Sequence, residues 1–223
     1  MTSAIEQRKE LAEKPLTDAG AREISQPPAA ASTSPIQTVS TLVTAHQRKA
    51  SILERTYTES VSALGEILTP HRLVSSEGIA ANDRALTGAF SALSGYKSGS
   101  ETLTQDFDAQ MLALSGKPGY RNLLAGFKEG VKKREERTER FFENQHQLLS
   151  VAVELNDFME DQLGKTEVEG DQILFASDEL ANHYNGLVSK IHVLASEEEE
   201  LRAEQMQVLD KVTSELRKLS SER

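Results

Sequence analysis

Residues 173–208, ILFASDELANHYNGLVSKIHVLASEEEELRAEQMQV, carry the pattern that decides the fold. An apolar side chain stands at every seventh position, and further apolar residues lie four positions after this series. Both sets share one face of an α-helix, which we call its seam, and this repeat is typical of helices that pack side by side as in coiled coils. The seventh-position residues are Ile173, Leu180, Leu187, Leu194, Leu201 and Val208, and the intermediate ones are Tyr184, Ile191, Val212 and Leu219.

The same spacing recurs in three earlier segments, which turn signals separate. Thr69-Pro70, SGKPGY at 115–120 and LGKTEVEGD at 163–171 each disfavour a continuous helix. Short connections usually join antiparallel neighbours. The predicted fold class is therefore all-α, an elongated antiparallel bundle of about four long helices with coiled-coil-like heptad seams. The predicted helices span about 35–69, 76–115, 118–163 and 171–220.

Residues 1–33 differ in composition from the rest of the chain. Prolines and small polar residues dominate SQPPAAASTSP at 25–35, so this region buries too little apolar surface to offset its ordering entropy. We predict a disordered N-terminal tail over residues 1–33 and a helical body over residues 34–223. Ser34 followed by Pro35 is a start signal for the first helix, because serine can cap it and proline suits its first position.

Glycines interrupt the second predicted helix. Gly88, Gly95 and Gly99 lie along its heptad pattern, and each costs about 1 kcal/mol relative to alanine inside a helix. They predict either a kink near LSGYKSGSE at 93–101 or the close approach of a neighbouring helix.

Composition argues against several classes of function. The formal net charge of -10 argues against binding nucleic acid, which needs a basic surface. The absence of cysteine excludes disulfides, thiolate zinc sites and iron–sulfur clusters. No stretch approaches the roughly 20 apolar residues that span a bilayer, and MTSAIEQRKELAEKPL lacks the apolar core of a secretory signal, so we expect a cytoplasmic protein.

Catalytic and metal-binding constellations are sparse. ENQH at 143–146 has the Glu-x-x-His spacing of di-iron bundles, but the seam places Glu143 and His146 off the core-facing positions and a second such motif is missing. His46 falls on the seam of the first helix, where a single histidine is more often structural than a ligand. We therefore expect no enzyme activity, no cofactor, no metal and no small-molecule substrate.

A basic stretch, GVKKREERTERFF at 130–142, stands out in this acidic chain. If the chain reverses near residue 166, paired residues have numbers that add up to about 332. The basic residues then face the glutamates of SEEEELRAE, and Arg134 and Glu198, both on seams, share one layer. We predict that these two form a register-setting ion pair. The facing sets are Lys132, Lys133, Arg134, Arg137 and Arg140 on one helix, and Glu197, Glu198, Glu199, Glu200 and Glu204 on the other.

These patterns favour a non-enzymatic subunit, scaffold or adaptor that binds helical partners or a second copy of itself. The residues predicted to form its partner surface or its own core are Leu187, Ile191, Leu194, Leu201, Val208 and Val212. One alternative is a dimeric membrane-remodelling protein like those of the BAR class, by analogy of architecture alone. Its anionic-lipid patch would be Lys128, Lys132, Lys133, Arg137 and Arg140. A second alternative, from the composition of the tail, is a secreted helical protein of a bacterial secretion system.

Overall fold

The protein folds into long helices, as a computed structural model of residues 34–121, 124–125 and 127–221 shows. Within these residues the chain forms five α-helices, one short 3-10 helix and one two-stranded hairpin, so the all-α prediction is confirmed. The predicted tail, residues 1–33, lies outside the described residues. Among the described helices, none is both long and apolar enough to cross a membrane.

The elements follow one another in a simple order. They are α1 (Pro35–Ser60), the 3-10 helix (Ser62–Glu66), α2 (Pro70–Leu73), α3 (Ser76–Ser115), α4 (Phe127–Asp161), β1 (Glu167–Glu169), β2 (Gln172–Leu174) and α5 (Asp178–Ser221). Helix α1 packs against α3 and α5, α3 packs against α4, and α4 packs against α5.

The first helix begins where the sequence predicted. The Ser34 hydroxyl accepts a hydrogen bond from the Gln37 backbone, and the Gln37 side chain accepts one from the Ser34 backbone, which forms a capping box. The helix ends at Ser60, nine residues before the predicted boundary at 69. The 3-10 helix and α2 occupy that interval, and the buried Asn82 side chain donates to the Ile67 carbonyl over 3.3 Å, which ties this connection to α3.

Helix α3 runs unbroken through its glycines. At Gly99 an added Cβ would lie 3.0 Å from Cδ1 of Leu53, so α1 approaches α3 closely there. At Gly88 and Gly95 an added Cβ would meet nothing within 4 Å. Of the two predicted explanations, close approach therefore holds at Gly99.

The connection between α4 and α5 is a hairpin, which the sequence analysis did not predict. Glu167 pairs with Leu174 and Glu169 with Gln172, and Gly170 turns the chain with a φ of 61° that favours glycine. The reversal is therefore centred between residues 170 and 171, beyond the predicted centre at 166. Helix α5 consequently begins at Asp178 and not near 171.

Buried apolar side chains form two clusters. The large cluster draws on all four long helices, and its most deeply buried members include Leu73, Leu86, Leu149, Leu155, Met159 and Leu187. The small cluster consists of Val39 from α1, Met111 and Leu114 from α3, and Leu124. Phe107, Tyr120 and Phe127 pack against it. The end of the molecule away from the hairpin thus has the smaller core.

Candidate partner-binding surfaces

A partly buried polar layer, which we call the Arg202 layer, joins α1, α4 and α5. Arg202 donates from Nε to Glu198 Oε1 over 2.9 Å and from Nη1 to Glu54 Oε1 over 3.0 Å. Glu198 is only 2% exposed, and the contact with Arg202 offsets part of the cost of burying its carboxylate. Burial by itself would lower the pKa of Arg202, but Glu198 and Glu54 raise it above the ordinary value. The guanidinium therefore stays charged between two carboxylates.

Side-chain amides extend the Arg202 layer into α4. The Tyr57 hydroxyl donates to Gln145 Oε1 over 2.9 Å, and Gln145 in turn donates to Asn144. Asn144 donates to the Leu194 carbonyl over 3.1 Å and to Glu197 over 3.2 Å. These bonds fix α4 against α5 at one register, because shifting either helix by one turn would leave buried amides without partners.

Tyr96 of α3 covers the same layer. Its ring stacks on Tyr57 with centroids 4.9 Å apart and meets Phe142 at 5.4 Å. Burial and the negative charge of Glu54 raise the pKa of Tyr96 to about 12. The phenol is therefore protonated throughout the physiological range, and its ring adds apolar packing to the layer.

A second polar layer, the Arg134 layer, joins α1, α3 and α4. Arg134 Nη2 lies 2.6 Å from Asp108 Oδ1 and 2.8 Å from Oδ2, and its guanidinium sits 5.8 Å from the Phe107 ring centre. The ring of His46, which lies on α1, stacks on the ring of Phe107 with centroids 4.4 Å apart. Burial and the positive charge of Arg134 lower the pKa of His46. The layer borders the small cluster.

The predicted ion pair between Arg134 and Glu198 is wrong, because each of the two residues pairs with a different partner. Arg134 pairs with Asp108, and Glu198 pairs with Arg202 of its own helix. The physical reason is the hairpin. The numbers 167 and 174 in the hairpin add up to 341, as do those of Asn144 and Glu197, whereas the prediction used 332. Helix α5 is thus displaced by about nine residues, or roughly 14 Å, along α4.

The predicted seam of α5 divides into two parts. Leu187, Ile191 and Leu201 are buried in the chain's own core, and Leu194 is half-buried. Beyond Leu201 the helix continues to Ser221, yet Val208 is 38% exposed and Met206 58% exposed. The side chain of Val212 lies outside the described residues. Val208 thus continues the seam as an exposed apolar side chain, whereas Met206, two positions earlier, lies on a different side of the helix. An exposed continuation of a buried seam can serve as a contact surface for another helix.

Several basic side chains of the predicted lipid patch have acidic partners within the protein. Lys132 Nζ lies 3.8 Å from Glu136, and Arg140 Nη1 lies 3.5 Å from Glu204. Lys133 also has an interaction partner, and Arg137 is half-buried. The Lys128 side chain lies outside the described residues. The Arg140–Glu204 pair belongs to the facing sets predicted from the sequence.

The ENQH segment forms contacts of a structural kind. Glu143 accepts a hydrogen bond from Gln147 over 3.4 Å, and the His146 ring packs edge-on against Phe90 with centroids 5.6 Å apart. In the described part of the chain, no group of three or more His, Cys, Asp or Glu residues could hold a metal ion.

An open groove of about 970 Å³ runs between α3 and α4. We call it the α3–α4 groove. Its apolar residues are Phe90, Leu93 and Phe142, and Arg134 lines it near one end. Sequence reasoning missed this groove, because it depends on which two helices are neighbours and on the small serine and threonine side chains that α3 places beside α4.

Comparison with known proteins offers no precedent for these surfaces. No protein-family model, curated protein or solved structure matches the chain.

Proposed function

We propose that this protein is a non-enzymatic helical scaffold or adaptor, an elongated antiparallel bundle that binds a helical partner through the seam of α5 beyond Leu201. The observation that carries this proposal is the change in burial along one helix. The α5 seam is buried at Leu187, Ile191 and Leu201, and it is exposed at Val208 although the helix continues to Ser221.

A second copy of the chain is the first partner to test. Long helices gain most of their stability from packing an apolar face, so an exposed continuation of a buried seam favours association. Among the described residues, the small cluster draws its buried members from α1, α3 and Leu124 and none from α5, which supports an α5 seam that is open to a partner. The cytoplasmic location expected from the sequence stays a prediction.

The membrane-remodelling alternative has less support. Anionic lipid would have to compete with Glu136 for Lys132 and with Glu204 for Arg140. The alternative of a secreted helical protein depended on the composition of residues 1–33, which lie outside the described residues. Liposome co-sedimentation at low salt tests the membrane alternative, and we expect the protein to stay in the supernatant.

The main test is the mass of the full chain in solution, by size-exclusion chromatography with light scattering. We expect a species of twice the chain mass of 24.5 kDa, and we expect Val208→Glu to return it to the monomer because a carboxylate would be buried at the contact. Gln207→Glu is the matched control, since it adds the same charge at an exposed neighbour and should leave the dimer intact.

Two outcomes would contradict the proposal in different ways. A wild-type protein that stays monomeric up to high micromolar concentration would exclude self-association and leave a different helical protein as the partner. A dimer that Val208→Glu and Gln207→Glu disturb equally places the contact elsewhere on the molecule.

A further inference from the structure

The α3–α4 groove is long enough to hold a helical segment. Its lining on α3 extends from Phe90 to Gln105 and on α4 from Arg134 to Gln147. Fifteen residues of rise along α3 correspond to about 22 Å, or four helical turns. At one end Phe90 meets His146, and at the other Arg134 binds Asp108, so contacts between the two helices close the groove at both ends.

Small side chains leave the groove open on its α3 side. Ser94, Ser100 and Thr104 line it at helical spacing, and Leu93 and Phe142 lie beneath them with exposures of 6% and 7%. Phe90 is half-buried and contributes apolar surface at one end. Leu93 and Phe142 belong to the large cluster and expose only their edges, so Phe90 supplies most of the apolar side-chain surface at the base of the groove. A groove of this kind between two helices can take the apolar face of an amphipathic helix.

The rim of the groove is acidic. Glu135, Glu139 and Glu143 stand on α4 at successive intervals of four residues, and Glu101 stands on α3. Like charges at that interval destabilise a helix. Lys97 and Arg134 are the cations in the lining, and Arg134 is already bound to Asp108. Within the described residues, no ion pair neutralises Glu101, Glu135 or Glu139.

We infer that the α3–α4 groove binds an amphipathic helix of a partner protein whose apolar face is flanked by lysine or arginine. The apolar face would pack on Phe90, Leu93 and Phe142, and the basic flank would reach Glu135, Glu139 and Glu143. A cationic flank would also relieve the repulsion between these glutamates. This inference concerns a second surface, and it holds whether or not the α5 seam binds a partner.

The direct test is fluorescence anisotropy of a labelled 14-residue peptide, about 21 Å long as a helix, titrated with the full chain. The probe has leucines at positions i, i+3, i+4 and i+7 and lysines elsewhere on the flanks, and a second peptide has glutamate in place of each lysine. We expect saturable binding of the lysine peptide and none of the glutamate peptide. Equal binding of both peptides, or binding of neither, would overturn the inference.

Charge-removal variants locate the binding. The triple variant Glu135→Gln, Glu139→Gln and Glu143→Gln should weaken the lysine peptide by about tenfold, because three rim ion pairs are lost. The matched control removes three exposed charges from the hairpin, Glu167→Gln, Glu169→Gln and Asp171→Asn, and should keep the affinity within about twofold of wild type. An equal loss in both variants would mean diffuse attraction to an acidic protein.

A steric variant separates the groove from its charged rim. Ser94→Trp fills the groove without changing any charge and should abolish binding, whereas Thr102→Trp adds the same ring at an exposed position of α3 outside the lining. Gln105→Trp plugs the other end and replaces Ser94→Trp if circular dichroism shows that the first variant has lost its helices. Undiminished binding by a folded plug variant would refute the groove as the site.

Discussion

The Arg202 layer and the Arg134 layer each hold one guanidinium against carboxylates, but they differ in the burial of those carboxylates and in the helices that they join. Arg202 contacts Glu198, which is 2% exposed, and Glu54 of a different helix. Arg134 pairs with the carboxylate of Asp108 of α3, and both side chains are about one quarter exposed. The first layer lies beside the large cluster and the second beside the small one. The Arg202 side chain is 35% exposed and Glu54 39%, so the two layers differ mainly in the fully buried carboxylate of Glu198.

This difference bears on how the molecule could bind partners. The Arg202 layer contains the last buried part of the α5 seam, and the exposed Val208 follows one heptad after Leu201. The Arg134 layer closes one end of the α3–α4 groove. The exposed part of the α5 seam thus follows the Arg202 layer along the helix, and the α3–α4 groove ends at the Arg134 layer.

The largest expected effect of a single substitution is in the Arg202 layer. Arg202→Met removes the guanidinium that lies 2.9 Å from the buried Glu198, and breaking a buried pair in this way costs about 3 kcal/mol of the free energy of unfolding. The measurement is urea denaturation followed by circular dichroism. Arg140→Met is the matched control, since its pair with Glu204 is exposed and should cost less than about 1 kcal/mol.

Comparable losses of unfolding free energy in Arg202→Met and Arg140→Met would contradict the distinction between the Arg202 layer and an exposed pair. A loss confined to Arg202→Met would support that distinction.

Periodicity predicted the helices well, because apolar residues on one face of each helix must be buried whatever lies opposite. Leu187, Ile191 and Leu201 illustrate this, since the α5 pattern alone identified them as seam residues and the structure buries them. The start of α1 was also readable, because the capping box of Ser34 and Gln37 is a local feature. Local rules thus predicted the long helices and several of their core residues, but not the hairpin.

The sequence did not predict equally well which residues of neighbouring helices face each other. The segment LGKTEVEGD contains two glycines, and the prediction placed the reversal near residue 166, between them, whereas the chain turns at Gly170. Both have positive φ, so the residue type alone does not distinguish them. The resulting shift moved Arg134 and Glu198 apart. The α3–α4 groove depends on the same long-range pairing, which explains why the sequence did not reveal it.

A double-mutant cycle tests the second layer and gives the next largest effect. Arg134→Met and Asp108→Leu, alone and combined, should show a coupling of about 1–2 kcal/mol in the free energy of unfolding, because the bidentate pair is lost with either change. The cycle of Arg134→Met with Glu198→Leu should be additive within about 0.5 kcal/mol. Strong coupling in the second cycle and none in the first would mean that Arg134 faces Glu198, in the register where paired residue numbers add up to 332.

The smallest expected effect is the pH dependence contributed by His46, and it concerns the Arg134 layer alone. Burial and Arg134 lower the pKa of this histidine below 6.5, while Asp108 acts in the opposite direction and Lys49 in the same one. The folded state therefore binds a proton less readily than the unfolded state. Its contribution to stability is complete above pH 6.5 and is lost as the pH falls through that value toward the lower pKa of the folded protein.

Thermal unfolding at several values between about pH 7.5 and 5.5 measures this contribution. His46→Phe keeps an aromatic ring against Phe107 and removes the titration, so the decline in unfolding temperature should be shallower than in wild type. Arg134→Met should also make the decline shallower, since it removes a positive charge that opposes protonation of His46. An unchanged decline in His46→Phe would mean that other groups carry the pH dependence, and the two layers would then not differ in this respect.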